Sequence, residues 1–562
     1  MGWSFVLCLE AYWHRHRQCN YHGHNLLLSY AAMTDAPLPL PPLPPAQAIL
    51  TNPNDRPFTL LSVAELRALE KNAEAALPAH TLMGRAGHAG ARFLLEHIAH
   101  DGSADPYQPV WLVAGPGNNG GDALVVAAEL RRAGVAVEVC MPVEVKPDDA
   151  RWALAEARAA GVPISNVVPD SLDRYGWVVD GMFGIGLARP LEGVFASIAA
   201  KLSARAATRG RVLALDVPSG LDSDTGNVVD GGVAVRATNT VTFIGAKPGL
   251  FMASGRDLAG DVTVAPIGVE GPREPAVRLN GPALFVPHFP PRDYATHKGT
   301  FGSMAVVGGD TGMCGAPILA ARSALYAGAG KVHVAFLGAG SPPYDPPHPE
   351  LMLHPLDELP LATMDALSIG CGMGKRERAV HVLRDVLQLN MPKLLDADAL
   401  NLVADHAELA EAVRLCGETA NDPCVLTPHP LEAARLLGTD AKSVQGDRLA
   451  AARELAARYA CVAVLKGTGT VIAAPDGRIA VNPTGNAALA TGGTGDVLGG
   501  LIGAFLGQQL PRYEAALAGV FLHGLAADML TARGRGPAGL TAGELAPMVR
   551  KLLNRLVYPL RD

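Results

Sequence analysis

The stretch Ala487-Ala488-Leu489-Ala490-Thr491-Gly492-Gly493-Thr494-Gly495-Asp496-Val497-Leu498 ends a run of small residues with one carboxylate, at what reads as the start of a helix. Its three glycines let successive backbone N–H groups converge on an anion, and a helix beginning near Val497 would strengthen that attraction. Asp496 would then lie beside a bound phosphate, where a carboxylate can take the proton from an attacking hydroxyl group. The stretch therefore predicts phosphoryl chemistry with Asp496 as the base, and the alternative is an ordinary glycine-rich turn that caps a helix.

The composition of the chain is typical of a packed α/β enzyme with more than one domain. Its 562 residues are 49% hydrophobic and 18% charged, and they include 62 glycines. A net charge of -7 without a basic run argues against nucleic acid or an anionic membrane as a partner. The eight cysteines form no C-x-x-C pair, so neither a zinc site nor a disulfide framework is indicated, and a cytoplasmic location is expected. No apolar run is interpreted as long enough to span a bilayer.

The N-terminus looks unlike the rest of the chain. Residues 1–32 concentrate aromatic residues and histidines without the features of a secretory signal, which favours Met33 as the natural start. A proline-rich segment follows and predicts an extended or disordered leader. We therefore expect a non-globular leader over 1–57, a first domain over 58–275 and a second domain over 276–562.

Strands and helices are predicted to alternate in the first domain. Val110–Ala114 reads as a buried strand, Asp122–Arg132 as a helix and Val135–Met141 as the next strand, which gives a parallel βαβ unit. The turn between the first two contains G-x-G-x-x-G, and Glu138 follows about twenty residues on as a potential ribose partner, as in a dehydrogenase. Its asparagines offer oxygen donors to a hard cation through Asn119, although they could simply form the turn.

Polar side chains follow two further strands. The strands predicted at 176–180 and 212–216 end in Asp180 and Asp216, and Ser219 comes shortly after the second. Because the carboxyl ends of parallel strands meet at one crevice, Asp180 and Ser219 could join Asn119 around a cation. Asp216 is then a candidate acid or base, although each aspartate alone could be a loop cap.

Four motifs of this half resemble the epimerase domain of the NAD(P)H-hydrate repair enzymes: Leu82-Met83-Gly84-Arg85-Ala86-Gly87, Asn118-Asn119-Gly120-Gly121-Asp122, Val179-Asp180-Gly181-Met182-Phe183-Gly184-Ile185-Gly186-Leu187 and Leu215-Asp216-Val217-Pro218-Ser219-Gly220-Leu221-Asp222. The resemblance implies a Rossmann-like three-layer domain in which Asn119, Asp180 and Ser219 bind a potassium ion. It also implies that Asp216 contacts the substrate. Two runs would hold the damaged nucleotide: Asn118, Asn119, Gly120, Gly121 and Asp122, and Gly184, Ile185, Gly186, Leu187, Ala188, Arg189 and Pro190.

A second α/β pattern follows the proline-rich passage from Pro272 to Pro291, which is interpreted as a linker. Met304–Val307 predicts a strand, Ala316–Gly328 a helix of small residues and Cys461–Lys466 another strand. The last strand runs into Lys466-Gly467-Thr468-Gly469-Thr470, where a cation, hydroxyl groups and flexible backbone suit a nucleotide phosphate. A β-turn with a surface lysine is the alternative.

Two polar loops in this half are interpreted more simply. His429 lies in Leu426-Thr427-Pro428-His429-Pro430-Leu431-Glu432, a loop that begins a helix, and Glu432 could merely serve that helix's first turn. Asp396-Ala397-Asp398-Ala399-Leu400-Asn401 reads as N-cap chemistry before another helix rather than as a catalytic group.

These loops, Gly370-Cys371-Gly372-Met373-Gly374 and the two glycine motifs around Lys466 and Asp496 resemble the ADP-dependent NAD(P)H-hydrate dehydratases over residues 290–550. The resemblance implies a ribokinase-like α/β domain in which a nucleotide phosphorylates the C6 hydroxyl of the hydrate, after which phosphate leaves. Asp496 would be the base and would contact the substrate. ADP would be held by Lys466, Gly467, Thr468, Gly469, Thr470 and Gly495, and the hydrate pocket would be lined by Ala316, Gly372 and His429.

The two resemblances together predict one enzyme, an isomerase and a lyase, that repairs hydrated NADH and NADPH. Phosphate transfer should also need a divalent cation, which we expect to be Mg²⁺. One alternative is a ribokinase-like small-molecule kinase fused to a nucleotide-binding module, and another treats the first half as a non-catalytic scaffold. A dehydrogenase is the least favoured, because no separate substrate domain with a paired acid and base is evident. Families of this fold often assemble, which favours a homo-oligomer.

Overall fold

Two largely parallel sheets organise the protein in this computed structural model, which describes residues 47–48, 58–100, 108–208, 210–272, 274–418 and 424–558. The predicted start at Met33 and most of the predicted leader over 1–57 lie outside the described residues. Strands and helices are numbered below along the chain.

The first sheet has eight strands in the order β1-β9-β8-β7-β6-β3-β4-β5. Its strands are β1 (Gln47–Ala48), β3 (Val110–Ala114), β4 (Val137–Cys140), β5 (Ile164–Ser165), β6 (Trp177–Gly181), β7 (Arg211–Leu215), β8 (Asn239–Phe243) and β9 (Asp261–Ala265). Neighbouring strands are parallel, except that β1 runs antiparallel to β9. The helices of this half are α1 (Val63–Ala76), α2 (Thr81–His100), α3 (Asn118–Arg132), α4 (Asp148–Ala159), α5 (Gly193–Ala207) and α6 (Gly255–Leu258).

The second sheet has eleven strands in the order β13-β12-β11-β14-β15-β16-β17-β18-β19-β10-β2. They are β2 (Thr59–Leu60), β10 (Val277–Leu279), β11 (Ser303–Gly308), β12 (Lys331–Phe336), β13 (Met352–Pro355), β14 (Ala366–Ile369), β15 (Lys393–Leu395), β16 (Val425–Leu426), β17 (Val462–Leu465), β18 (Val471–Ala473) and β19 (Ile479–Val481). The strands from β13 to β17 are parallel to their neighbours, and β18 is antiparallel to both β17 and β19.

The helices of the second half are α7 (Gly315–Tyr326), α8 (Glu377–Leu387), α9 (Asp398–Asp405), α10 (Ala407–Glu418), α11 (Pro430–Leu437), α12 (Ala441–Gly446), α13 (Arg448–Arg458), α14 (Thr494–Gly507), α15 (Arg512–Ala532) and α16 (Leu545–Leu556). Short 3-10 turns lie at Val229–Gly231, Pro248–Leu250, Pro282–Leu284, Val286–His288, Leu356–Glu358, Leu361–Thr363, Ala487–Leu489 and Ala542–Glu544.

The apolar runs form the strands that were predicted from them. All five residues of β3 and all six of β11 are buried, as expected for parallel strands that are covered on both faces. Helix α1 begins with a capping box, in which the Ser62 hydroxyl accepts from the Glu65 amide and the Glu65 carboxylate accepts from the Ser62 amide. The predicted α/β class is confirmed.

Two helices begin earlier than the sequence suggested. Helix α3 starts at Asn118 rather than Asp122, and α14 starts at Thr494 rather than near Val497. In α3 the motif glycines Gly120 and Gly121 lie in the first helical turn, where they pack too closely for a side chain. A Cβ on Gly120 would lie 1.9 Å from the Gly115 carbonyl oxygen.

The interpretation of Pro272 to Pro291 as a linker is wrong. The passage contains β10, which lies between β19 and β2 in the second sheet, and two 3-10 turns that carry prolines in their first positions, where no amide hydrogen is needed. Two short strands also cross the boundaries suggested by the sequence. β1 falls in the predicted leader yet pairs with β9, and β2 falls in the predicted first domain yet pairs with β10.

The two halves share one apolar core. Leu250, Phe251 and Met252 from the first half belong to the same buried cluster as Leu465 and Val471 from the second. Polar contacts accompany this packing. The Ala253 amide donates to the Thr468 carbonyl at 3.2 Å, and the Arg256 guanidinium donates to the Gly485 carbonyl at 3.1 Å. The halves therefore stabilise each other through buried contacts rather than through a loose linker.

From the sequence, no segment is expected to be long and apolar enough to span a bilayer, but helix α15 meets those two criteria. Its 21 residues are long and apolar enough to do so by length and composition, with a mean hydropathy of 1.5. However, 72% of its most apolar window is buried inside the structure, where it packs between α14 and α16. That burial is typical of a core helix.

Removing the Phe251 ring should destabilise both halves together. The residue is 2% exposed in the shared core, so we expect Phe251→Ala to lower the free energy of unfolding by about 3–5 kcal/mol. Val167→Ala is the control, because that side chain is 67% exposed and its loss should change stability by less than about 0.5 kcal/mol. Denaturant unfolding gives the magnitude, and amide hydrogen exchange should show protection lost in both β9 and β11, which contribute residues to the same cluster as Phe251. Loss confined to β9 would contradict a shared core.

Candidate functional site

The strand order of the first sheet reverses at β3, with β4 on one side and β6 on the other. Ligands bind at such switch points, beside the carboxyl ends of the strands. A cavity of about 400 Å³ lies there. Eight of the predicted residues line it: Asn118, Asn119, Asp122, Gly184, Ile185, Gly186, Leu187 and Asp216. The structure therefore brings most of the nucleotide-binding residues predicted from the sequence to one cavity.

The remaining predicted nucleotide-binding residues lie elsewhere. Gly120 and Gly121 are buried in the first turn of α3, where a Cβ would collide with Gly115 or Met83, so they allow close packing and do not line the cavity. Ala188 lines an adjoining cavity of about 530 Å³ that also shares Ile185, Gly186 and Leu187. Arg189 and Pro190 line neither of these two cavities.

Asp216 forms a buried ion pair with Lys247. The Lys247 ammonium is 1% exposed and donates to the Asp216 Oδ1 at 2.6 Å, to the Thr242 hydroxyl at 2.8 Å and to the Phe243 carbonyl at 2.8 Å. The other carboxylate oxygen, Oδ2, accepts from the Ile185 amide at 3.2 Å. Asp216 also adopts a φ of 67°. This left-handed conformation is strained for any residue other than glycine, and such strain is common at functional sites. Lys247 was not predicted from the sequence.

Asp180 and Ser219 form a second buried polar group beside this pair. The Ser219 hydroxyl donates to the Asp180 Oδ1 at 2.7 Å, and the Ser219 amide donates to Oδ2 at 2.8 Å. Burial raises the pKa of Asp180 to about 6, against the lowering effect of these hydrogen bonds. Asn119 is also buried, and within the described part of the chain neither its side-chain oxygen nor its nitrogen has a hydrogen-bond partner. An orphaned amide is costly unless something binds it.

Two further carboxyl groups line the same cavity. Burial raises the pKa of Glu70, and the negative charge of Asp216 raises it further. Burial likewise raises the pKa of Asp122 well above its usual range, with added contributions from Asp216 and Glu70. Glu138, the potential ribose partner of a dehydrogenase, instead accepts hydrogen bonds from Arg174 and Tyr175 and does not line the cavity.

The second site lies at the N-terminus of α14. Gly493 precedes the helix with a φ of 90°, and Asp496 is its third residue. Burial raises the pKa of Asp496 to about 6, the nearby Asp396 carboxylate adds to this effect, and the Lys466 ammonium opposes it. The first-turn amides of α14 and its positive end suit a phosphate in the way predicted from the glycines.

Lys466 approaches this helix from the end of β17. Its ammonium donates to the Asp396 Oδ1 at 2.6 Å and lies 3.9 Å from the Glu432 Oε2. A Cβ on Gly495 would lie 3.8 Å from both the Lys466 ammonium and the Asp396 Oδ2, so these groups converge on the start of α14. Burial lowers the pKa of Lys466, but the two carboxylates outweigh it and the net shift is upward. Asp396 is therefore part of the site, and its interpretation as N-cap chemistry is wrong.

The three predicted hydrate-pocket residues lie around this cluster. His429 is the N-cap of α11, and its Nδ1 accepts from the Leu431 amide at 3.1 Å. Burial and the Lys466 charge both lower the pKa of His429, which places its imidazole near the lysine. Gly372 has a φ of 59°, and a Cβ there would lie 3.8 Å from the Cβ of Ala316 at the start of α7.

The loop from Lys466 to Thr470 divides into an exposed and a packed part. Gly467 and Thr468 are exposed, whereas Gly469 is buried against the first half, where a Cβ would lie 2.1 Å from the Phe251 carbonyl oxygen. The Thr470 hydroxyl donates to the Gly467 carbonyl at 3.0 Å and closes the loop. Gly467 and Thr468 are therefore the most accessible residues of this loop, and Gly469 is the one that packing removes from contact with a ligand.

Models of two protein families match this chain. The description "YjeF-related protein N-terminus" applies to residues 79–249, and "NAD(P)H-hydrate dehydratase" applies to residues 304–548. Each matched region contains one of the two sites.

Similar proteins are also known over longer stretches. A bifunctional NAD(P)H-hydrate repair enzyme of Escherichia coli is 37% identical over 519 residues, which are 90% of this chain and 95% of the relative. An ADP-dependent (S)-NAD(P)H-hydrate dehydratase of Neisseria meningitidis is 48% identical over 280 residues, 49% of this chain and 93% of the relative. A Bacillus subtilis ADP/ATP-dependent NAD(P)H-hydrate dehydratase crystallised with ATP and Mg²⁺ is 32% identical, and the match covers 49% of this chain and 96% of that one with a TM-score of 0.41.

The buried pair of Asp216 and Lys247 should be costly to break on one side only. Lys247→Met leaves a carboxylate with 12% exposure unpaired, so we expect the free energy of unfolding to fall by about 3 kcal/mol or more. Adding Asp216→Asn removes the unpaired charge and should recover part of the loss. Urea unfolding of both single variants and the double variant measures the coupling. A double variant no more stable than Lys247→Met would contradict the pairing.

Proposed function

This chain belongs to the family of bifunctional NAD(P)H-hydrate repair enzymes, and from that premise we propose which of its residues perform the two reactions. The identity with a bifunctional relative over most of both chains, together with the two family matches, confirms the predicted isomerase and lyase that repair hydrated NADH and NADPH. The alternative of a small-molecule kinase on a non-catalytic module is not favoured. The assignments of individual residues below are our proposal.

Epimerisation is assigned to the cavity at the switch point of the first sheet. Asp216 would face the hydrated nicotinamide ring with its carboxylate paired to the Lys247 ammonium. Asn118, Asp122 and the loop from Gly184 to Leu187 would hold the nucleotide, since they line the cavity around Asp216. The observation that carries this assignment is a buried, strained, charge-paired aspartate that opens onto a cavity large enough for a nucleotide ring.

Potassium is proposed to bind between Asn119, Asp180 and Ser219. The unpartnered Asn119 side chain supports this, because its carbonyl oxygen and the Asp180 and Ser219 oxygens are ligands that a hard cation prefers. A bound cation would supply positive charge beside the phosphates of the substrate. The three residues would also fix the start of α3 relative to the loop after β6.

Dehydration is assigned to the start of α14. Asp496 would accept the proton of the C6 hydroxyl as that oxygen attacks phosphorus, and a pKa of about 6 leaves it mostly ionised at neutral pH yet a useful base. The amides around Gly495 would stabilise the charge that develops on the phosphates. Ala316, Gly372 and His429 would line the hydrate pocket beside them.

ADP is proposed as the nucleotide, following the ADP-dependent relative, with Mg²⁺ to neutralise its phosphates. When bound, ADP supplies the phosphoryl group that turns a poor hydroxide leaving group into phosphate. Of the predicted ADP residues, Gly467 and Thr468 are exposed, and Gly469 packs on the first half. Gly495 lies in the first turn of α14, and the Lys466 ammonium faces that turn. The cytoplasmic location and the homo-oligomer stay predictions.

A racemic hydrate of NADH separates the two reactions. With ADP and Mg²⁺, the wild type should restore dihydronicotinamide absorbance completely, because the R epimer is converted and then dehydrated. Asp216→Asn should complete the fast phase near half, since only the S epimer is then a substrate. Asp496→Asn should slow dehydration by about 10²–10⁴-fold while still interconverting the epimers.

Two outcomes of that experiment would contradict the assignments. Complete recovery by Asp216→Asn at the wild-type rate would remove Asp216 from epimerisation. Accumulation of a stable phosphorylated alcohol by the wild type would instead establish the kinase.

Potassium should stabilise the protein in a pH-dependent way. Burial raises the folded pKa of Asp180 above its unfolded value, so without a cation its contribution to stability falls as pH rises from about 4 to about 6. A cation binds the ionised form and offsets that loss. We expect the rise in Tm on replacing Na⁺ by K⁺ to be larger at pH 7.5 than at pH 5.

Asp180→Asn is the matched control for this measurement, because it keeps the shape of the side chain and removes its titration. The variant should lose the pH dependence of the potassium effect. Equal Tm values in the two salts at pH 7.5 would contradict a potassium site.

A further inference from the structure

Several carboxyl groups line the cavity of the first half, and three of them interact with one another and with the Lys247 ammonium: Glu70, Asp122 and Asp216. They come from three separate elements, since Glu70 is on α1, Asp122 is on α3 and Asp216 follows β7. One of them, Glu70, has no role in the reaction as described so far beyond lining the cavity.

Lys247 serves only one of these carboxyl groups. An ammonium has three hydrogens to donate, and those of Lys247 go to Asp216, to the Thr242 hydroxyl and to the Phe243 carbonyl. No donor is left for Glu70. The lysine therefore pairs with Asp216 and donates no hydrogen bond to the Glu70 carboxyl group.

The charges that face Glu70 reinforce this division. Asp216 and Glu74 present negative charge, whereas Lys247 and Arg67 present positive charge. Burial is the largest influence and the carboxylates add to it, so the pKa of Glu70 is raised in spite of both cations. The pKa of the neighbouring Asp122 is also raised, by burial first and then by the negative charges of Asp216 and Glu70. One cavity thus contains a carboxylate paired with an ammonium and a second carboxyl group whose pKa is raised by burial, the arrangement that separates a base from an acid.

We propose that Glu70 is a second catalytic residue of the epimerisation, and that its carboxyl group protonates the departing C6 hydroxyl. This inference rests on the proposed function of the cavity. The C6–O bond breaks with its electron pair on oxygen, which takes the Glu70 proton and leaves as water. The ring nitrogen lone pair forms a double bond to C6. The Asp216 carboxylate faces the resulting cation.

Return of water completes the reaction. When water adds to the opposite face of C6, it gives a proton to the Glu70 carboxylate, and the electron pair returns to the ring nitrogen. The product is the other epimer, and both Glu70 and the water are restored. No oxidant or further reactant is required.

The test compares the epimerisation rates of two substitutions of Glu70. A purely structural role of Glu70 predicts one order of these rates, and a proton-transfer role predicts the opposite order. Glu70→Gln keeps the size and shape of the side chain but cannot give up a proton in this way, so we expect a loss of about 100-fold in the epimerisation rate. Glu70→Asp keeps the acid and should retain more activity than Glu70→Gln. The wild-type rate should also fall as pH rises through the Glu70 pKa, a dependence that Glu70→Gln flattens.

Two controls use the same chain. Glu192→Gln replaces an exposed glutamate of the first half outside the cavity and should epimerise at the wild-type rate. ADP-dependent dehydration of the S epimer by each variant reports that the protein is folded, because that reaction occurs in the second half. In water enriched in ¹⁸O, each epimerisation should place one solvent oxygen at C6.

Three outcomes would overturn the proposal: Glu70→Gln epimerising at the wild-type rate, Glu70→Gln more active than Glu70→Asp, or an epimer formed without solvent oxygen. In each of these cases Asp216→Asn would still be inactive as an epimerase, so the proposed function of the cavity would stand. A wild type that does not epimerise at all would instead overturn that proposed function.

Discussion

The packing of residues 251–253 against residues 468–469 is the contact on which both sites depend. Gly469 has no room for a side chain beside the Phe251 carbonyl, and the Thr468 carbonyl accepts from the Ala253 amide. Lys247 lies shortly before the first of these segments, and Lys466 lies shortly before the second. Because this contact belongs to a core shared by both halves, the segment that follows the lysine of each site packs against the other half.

The two sites use the same arrangement of charge although their folds differ. In each, a lysine with little exposure lies 2.6 Å from an aspartate at the end of a parallel strand, and neighbouring carboxyl groups have raised pKa values. The ion pair fixes one negative charge, and burial then discourages a second. Acid and base functions can therefore coexist in a small volume at neutral pH. In the first site the proposed catalytic aspartate, Asp216, belongs to the ion pair, whereas in the second site the proposed base, Asp496, stands outside it.

The sequence predicted those parts of the sites that follow directly from strand ends and glycine turns. Asp180, Asp216 and Asn119 come together because parallel strands align their carboxyl ends, which local pattern can anticipate. Asp396 also follows such a strand, but an aspartate before a helix reads equally well as a cap. Lys247 and Glu70 could not be predicted, because their approach to Asp216 depends on how α1 and the loop after β8 pack. Gly120 and Gly121 show that, from the sequence alone, a glycine needed for close packing cannot be distinguished from a glycine that binds a ligand.

Strand β2 carries a consequence for how such a chain can be divided or recombined. Its two residues pair with β10 of the second sheet, while Leu60 bridges Ala246 and the Leu61 amide donates to its carbonyl, one residue before Lys247. Cutting the chain ahead of residue 276 would remove that strand and leave one edge of β10 unpaired. An exposed edge is a template for pairing with other molecules and for aggregation. If the dehydratase half were moved into a new protein, it would need residues 58–60, or a substitute for them, to keep the edge of β10 paired.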